Sequence, residues 1–248
     1  MNCYTRYALV MFGVLSSAFF FYPVFAQDSA AIEASNENDE TDDNWAGSSR
    51  LEITVTNLTR GQQFTPILVA THKRGVKIFE VGQPASPQLA PLAEQGDTAP
   101  LAALLSGNPN VGSVVTGSGL TNPGQSTTIV VEGRGRFPRV SVAAMLIPTN
   151  DAFFSVTGVP GPRGRDEVVV YSPAYDAGSE KNDEQCSSIP GPSFNECGGA
   201  GGGGRIGQGE GFVHVHAGIH GIGSFKPSDR YWRNPVARIV IRQVRDPR

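Results

Sequence analysis

LEITVTNL, residues 51–58, places Leu51, Ile53 and Val55 on one side of an extended chain and Glu52, Thr54 and Thr56 on the other. A period of two with β-branched threonines is the pattern of a half-buried strand. Further strands are expected at 67–70, 127–132, 139–147, 153–156, 167–171, 211–216 and 236–244, between glycine-rich and proline-rich turns. Three-to-four spacing occurs in 87–105, through Leu89, Leu92, Ala93, Leu101, Leu104 and Leu105. It predicts two short helices, the second capped by Asp97 or Thr98, and no others are expected. Many short strands with little helix point to a mainly β fold, an antiparallel β-sandwich with one or two short helices and long loops. A closed barrel would carry the same local patterns.

Outward from this body the chain changes character. Residues 1–26 place Arg6 before an apolar run that ends in Val24-Phe25-Ala26, which reads as an export signal cleaved after Ala26. The run is interrupted by serines and Pro23 and is short for a membrane span of about 20 residues. Residues 27–49 hold Asp28, Glu33, Glu37, Asp39, Glu40, Asp42 and Asp43 with no lysine or arginine, so they are expected to form a disordered acidic leader. Residues 50–248 are then one domain, long enough to bury a substantial core. Cys3 falls in the signal. Cys186 and Cys197 remain, and a close pair in an exported chain reads as one disulfide.

The net charge of −3 gives no basis for nucleic acid as a partner, since phosphate binding needs concentrated positive charge. No transmembrane segment is expected after signal cleavage, and the expected location is secreted, periplasmic or extracellular. The tract Cys197–Gly204 has few side chains with which to pack, and no Lys-Ser or Lys-Thr follows to make it a phosphate loop.

Carboxylates stand where expected strands end. Glu132 closes TTIVVE, Asp151 follows VSVAAMLIPTN, and Asp176 follows VVVYSPAY, with Glu180 four residues on across Gly178. Calcium takes six to eight oxygen ligands in flexible geometry, which loops at one end of a sandwich can offer. Solvated acids at turns would show the same spacing.

Three stretches resemble a known family. AMLIPTNDAFF, residues 144–154, resembles the spondin domain of F-spondin and mindin, which carries a hydrophobic strand, proline, two small residues, Asp and aromatics. YDAGSE, 175–180, is similar to that family's Tyr-Asp-Ala-Gly-Thr-Asp turn, and PVARIVI, 235–241, resembles its closing Pro-x-Ala-Arg strand. The resemblance implies a β-sandwich over about 51–244 that is not an enzyme and has no catalytic residues. It implies a divalent cation, calcium, on Glu132, Asp151 and Asp176. Glu180 replaces the family's second Asp, and Ala152 replaces the tryptophan after the first. Matrix and cell-surface roles in the animal proteins imply adhesion or recognition of an extracellular protein or glycan.

A rival site lies in FVHVHAGIH, 212–220. Alternation puts His214 and His216 on one strand face, and with His220, and Glu210 if it joined them, they would suit zinc or copper in a cupin-like metal enzyme. Partly buried strand histidines bonded to backbone are the plainer reading. No Gly-x-Ser-x-Gly elbow is present, and paired cysteines cannot serve as nucleophiles. Arg134, Arg136 and Arg139 make a basic turn beside Glu132 that could meet anionic groups on a partner.

Overall fold

The computed structural model describes residues 48–135, 137–192, 194–199, 203 and 206–244. The expected signal, most of the acidic leader, Arg136 and the side chain of Arg134 lie outside the described residues. The first strand, β1 (Ser48–Asn57), takes in the last two residues of the expected leader.

In one sheet β1 pairs on one edge with β5 (Ser126–Arg134) and on the other with β11 (Ala237–Val244). β8 (Val168–Ser172) completes the order β5-β1-β11-β8. The second sheet runs β10 (His214–Val215), β9 (Ala174–Asp176), β7 (Ala152–Pro160), β6 (Arg139–Ile147), β3 (Leu68–His72), β4 (Val111–Thr116). β2 (Gln63–Phe64) adds to β6. All named pairings are antiparallel, as the alternating patterns require.

The apolar side of the opening stretch decides the packing. Leu51, Ile53 and Val55 meet Ile129, Val131, Ile239 and Ile241 of their own sheet and Val69, Val142, Ala144 and Phe154 of the other in one buried cluster. On the far face of the second sheet, Leu68, Ala70, Ala143 and Phe153 are covered by Leu89, Leu92, Ala93, Leu101 and Leu105. Those residues come from α1 (Ala90–Gln95) and α2 (Ala99–Ser106) and the residue just before α1. This third layer explains why β6 is buried from Val140 to Ile147 without alternation: a strand covered on both faces is apolar throughout.

The two expected helices form, and Asp97 rather than Thr98 supplies the side-chain acceptor, to the Ala99 N–H at 3.0 Å. The expectation of no other helix is corrected by α3 (Pro227–Arg230) and a 3₁₀ turn at Asn195–Cys197. These pieces are too short to carry a periodic signal. β4 escaped the sequence reading because Gly112 and Ser113 interrupt its alternation. The expected strand at 211–216 shrinks to His214–Val215. Cys186 and Cys197 form a disulfide, as expected.

Within β3, His72 is buried and its two nitrogens are both engaged. Nδ1 meets the Lys73 carbonyl, which can only accept, so Nδ1 carries the proton and Nε2 accepts from the Ser141 hydroxyl at 2.7 Å. Burial pushes the His72 pKa down, the Lys73 carbonyl opposes this, and Arg139 adds to it. A histidine held neutral by the fold stabilises it above the unfolded value, about 6.5, and that contribution is lost as pH falls toward the lowered folded value. Stability should therefore drop between pH 7 and 5. His72→Gln should flatten that slope by up to about 1.4 kcal/mol per pH unit, measured by urea unfolding across the range. An unchanged slope would show that His72 does not titrate in this way.

Candidate functional site

Pro173 decides where Asp176 goes. It has no N–H to continue the ladder, and the chain leaves the first sheet at Ser172 and enters the second at Ala174. The Ser172 hydroxyl accepts from the Ser155 N–H at 3.0 Å and lies 2.8 Å from the carbonyl oxygens of Ser155 and Pro173, which holds the crossover. β9 then pairs with β7 so that Asp176 stands opposite Ala152. Phe153 packs against Tyr175 at 5.7 Å, Tyr175 against Phe79 at 4.7 Å, and Phe154 against Phe64 at 4.5 Å. The aromatics beside each acid thus fix the two acid-bearing strands. Ala152, in place of an aromatic, is itself fully buried.

Asp151 and Asp176 are buried together at this end of the sheet. Asp151 Oδ2 accepts the backbone N–H of Ser179 at 2.8 Å and of Glu180 at 3.0 Å, with the Ser179 hydroxyl at 3.2 Å. Its Oδ1 is buried and receives no hydrogen bond from the described residues. Burial, and then the neighbouring Asp176 carboxylate, push the Asp151 pKa up to about 7, against the pull of those three donors. Asp176 Oδ1 accepts from the Gly178 N–H and Oδ2 from the Asn182 amide, both at 2.7 Å. A buried carboxylate oxygen without a donor, next to a second carboxylate, fits a divalent cation, whose charge would offset both.

The remaining expected ligands divide. Glu180 is buried, but its backbone N–H, not its carboxylate, bonds Asp151, and its Oε1 accepts from the Ile206 N–H at 3.2 Å. Glu132 does not come to this end. It is exposed within β5, opposite Arg50, and its carbonyl accepts from Thr71, which pairs with Val140 at the start of β6. Asp151 follows the other end of β6, roughly 23 Å away along the strand at 3.3 Å per residue. The expectation that Glu132 shares a site with Asp151 and Asp176 is corrected on this ground: it lies near the last residues of β5, beside the start of β6, at the end of the sandwich away from Asp151.

Histidines fill the other side of Asp176. β10 pairs with β9, placing His214 opposite Asp176, and alternation does bring His214 and His216 to the same side. Their Nε2 atoms lie 3.6 Å and 3.7 Å from Asp176 Oδ1 and Oδ2. His216 is buried, and its Nδ1 accepts from the Gly218 N–H at 2.9 Å, so the neutral ring carries its proton on Nε2. Burial, then the charges of His214 and His220, push its pKa down to about 4. Burial also pulls His214 down, but the Val215 carbonyl and the Asp176 and Glu210 carboxylates outweigh it and leave His214 raised. The compact set of metal-type donors among the described residues is Asp176, Glu210 and His214, so the expected His214, His216 and His220 trio is not what assembles.

A cavity of about 230 Å³ opens here, lined by Asn150, Asp176, Asn182, Glu210, His214 and His216 among others. Glu184, which sequence reasoning passed over, is buried beside it and accepts the backbone N–H groups of His220, Gly221 and Ile222. It pins the loop after β10. A glycine-rich stretch offering successive N–H groups was the available signal, but nothing in the sequence says which acid fills it.

The fold and site define an antiparallel β-sandwich with a buried carboxylate–imidazole end. More particularly, the family model described as Spondin_N, the spondin N-terminal domain, matches residues 55–163, bearing out the resemblance read from 144–154. The match runs from β1 through β7 and stops before Asp176. No curated protein matches the chain. Domains of that family are adhesion-type modules, and the family match and the disulfide fit an extracellular protein. No described helix is long and apolar enough to cross a membrane.

Proposed function

We propose that this chain is a secreted recognition module whose loop-bearing end is organised by calcium and contacts an extracellular protein or glycan. One observation carries the reading: Asp151 Oδ1 is buried beside Asp176 with no donor among the described residues. Asp151 and Asp176 would hold the ion, which supplies positive charge between two carboxylates that otherwise repel. Glu180 stands in the same turn: its backbone N–H holds Asp151, and its buried carboxylate adds negative charge at this end that favours a cation. Phe212, Val215 and Ile222, exposed by 43%, 53% and 66%, flank this end and give a partner apolar surface to cover.

Calcium should raise the stability of the mature protein by about 2.7 kcal/mol at a hundredfold excess over its Kd. Asp176→Asn should remove that gain, Glu180→Gln should reduce it less, and Glu132→Gln should leave it intact. Calorimetric titration and thermal unfolding of these variants check the reading. A wild-type protein indifferent to millimolar calcium would end it.

A further inference from the structure

We infer that Asp176, Glu210 and His214 form a second cation position, selective for a zinc-class ion over calcium, on the cavity side of Asp176. The position shares Asp176 with the calcium reading, but Asp151 is not among its donors, and Glu210 and His214 belong to it alone. His214 Nε2 lies 3.6 Å from Asp176 Oδ1 and 3.6 Å from Glu210 Oε2. The three donor atoms all fall within 4.8 Å of one another. Those separations are too long for hydrogen bonds, and Nε2 is shielded from solvent with no hydrogen-bond partner among the described residues.

The tautomer gives the direction of the lone pair. His214 Nδ1 sits 3.2 Å from the Val215 carbonyl, which can only accept, so Nδ1 carries the hydrogen and the neutral ring turns a bare Nε2 toward the two carboxylates. Three electron-rich atoms then converge on one point. A proton shared between Nε2 and a carboxylate would draw them to about 2.7–2.9 Å. A zinc-class ion about 2.0–2.2 Å from each donor would hold them about 3.4 Å apart at the tetrahedral angle, close to what is seen.

The surrounding groups suit ligands rather than an ion pair. Asn182 donates to Asp176 Oδ2 at 2.7 Å and reaches Glu210 Oε1 at 3.5 Å. His216, its Nδ1 occupied by Gly218, turns Nε2–H toward Asp176 Oδ2. Asp176 Oδ1 is thereby aimed at His214, the outer bracing that metal sites need. One imidazole and two carboxylates match zinc and its neighbours, whereas calcium prefers an all-oxygen shell. Further coordination positions open into the cavity of about 230 Å³.

Untagged mature protein titrated with Zn²⁺, and with Co²⁺ read by its visible absorption, tests the inference. One ion should bind, and His214→Ala and Glu210→Gln should each weaken zinc by more than about tenfold. His220→Ala should have no effect, and Asp151→Asn should cut calcium but not zinc affinity. His214 is part-exposed in a two-residue strand, so unchanged metal-free unfolding of its variant serves as the folding control. Zinc binding that survives both ligand changes, or no zinc binding by the wild type, would overturn the site whether or not calcium binds. So would a loss of calcium affinity in His214→Ala, which would make the trio part of a single calcium site.

Discussion

Asp151→Asn is expected to stabilise the calcium-free protein and to abolish its response to calcium. The asparagine oxygen can take over the donors that reach Oδ2, from Ser179 and Glu180, while the new amide replaces the oxygen that has no donor among the described residues. An amide there also faces the Asp176 carboxylate with a donor in place of a like charge. The carboxyl of Asp151 is pushed up to about 7, and each unit of such a shift corresponds to about 1.4 kcal/mol, so above neutral pH the relief is on the order of a few kcal/mol. Below about pH 4 both forms are uncharged in either state and the advantage should vanish. The same substitution deletes a charged oxygen ligand, so added calcium should no longer raise the melting temperature. Unfolding curves at pH 8 with calcium and with chelator check both halves. A variant less stable than wild type in chelator would mean that Oδ1 is satisfied in a way that does not involve a cation.

Gly178→Ala is expected to be the most damaging small substitution at this end of the molecule. Gly178 has φ +63°, and a Cβ there would lie 2.3 Å from the Phe212 carbonyl oxygen and 2.8 Å from its nitrogen. Backbone cannot step aside as a side chain can, so residues 210–214 would have to move, carrying Glu210 and His214 away from Asp176. The cost should be on the order of 3 kcal/mol or more, measured by urea unfolding, with loss of metal binding. Gly198→Ala is the control. It has a similar φ, +66°, and open space around the added carbon, so it should cost only about 1–2 kcal/mol. Equal costs for the two would show that backbone conformation, not the contact with Phe212, limits position 178.

Alternation in LEITVTNL, the doubled apolar character of residues 139–147 and the turn residues between them were enough to specify strands, antiparallel pairing and a core, because burial of one face or two leaves a local mark on composition. The acid-bearing turns were equally legible: Asp151 and Asp176 could be picked out and do lie together, since the aromatics and Pro173 that bring them there are their sequence neighbours. Glu132 was misplaced for the same physical reason. A strand pattern says that a residue lies on a ladder, but the end of the sandwich it faces depends on registers with β1 and β3, which are set by residues far away in the chain. Glu210 and Glu184 acquire their roles only through such contacts, one opposite His214 and one under the backbone of 220–222. The tautomers of His214 and His216 are likewise set by single backbone groups, the Val215 carbonyl and the Gly218 N–H. Sequence alone therefore determined the sandwich, the disulfide and the pair of aspartates. Tertiary structure decided which donors face that pair, because a side chain's electrostatic neighbours are chosen by packing and register rather than by its own spacing along the chain.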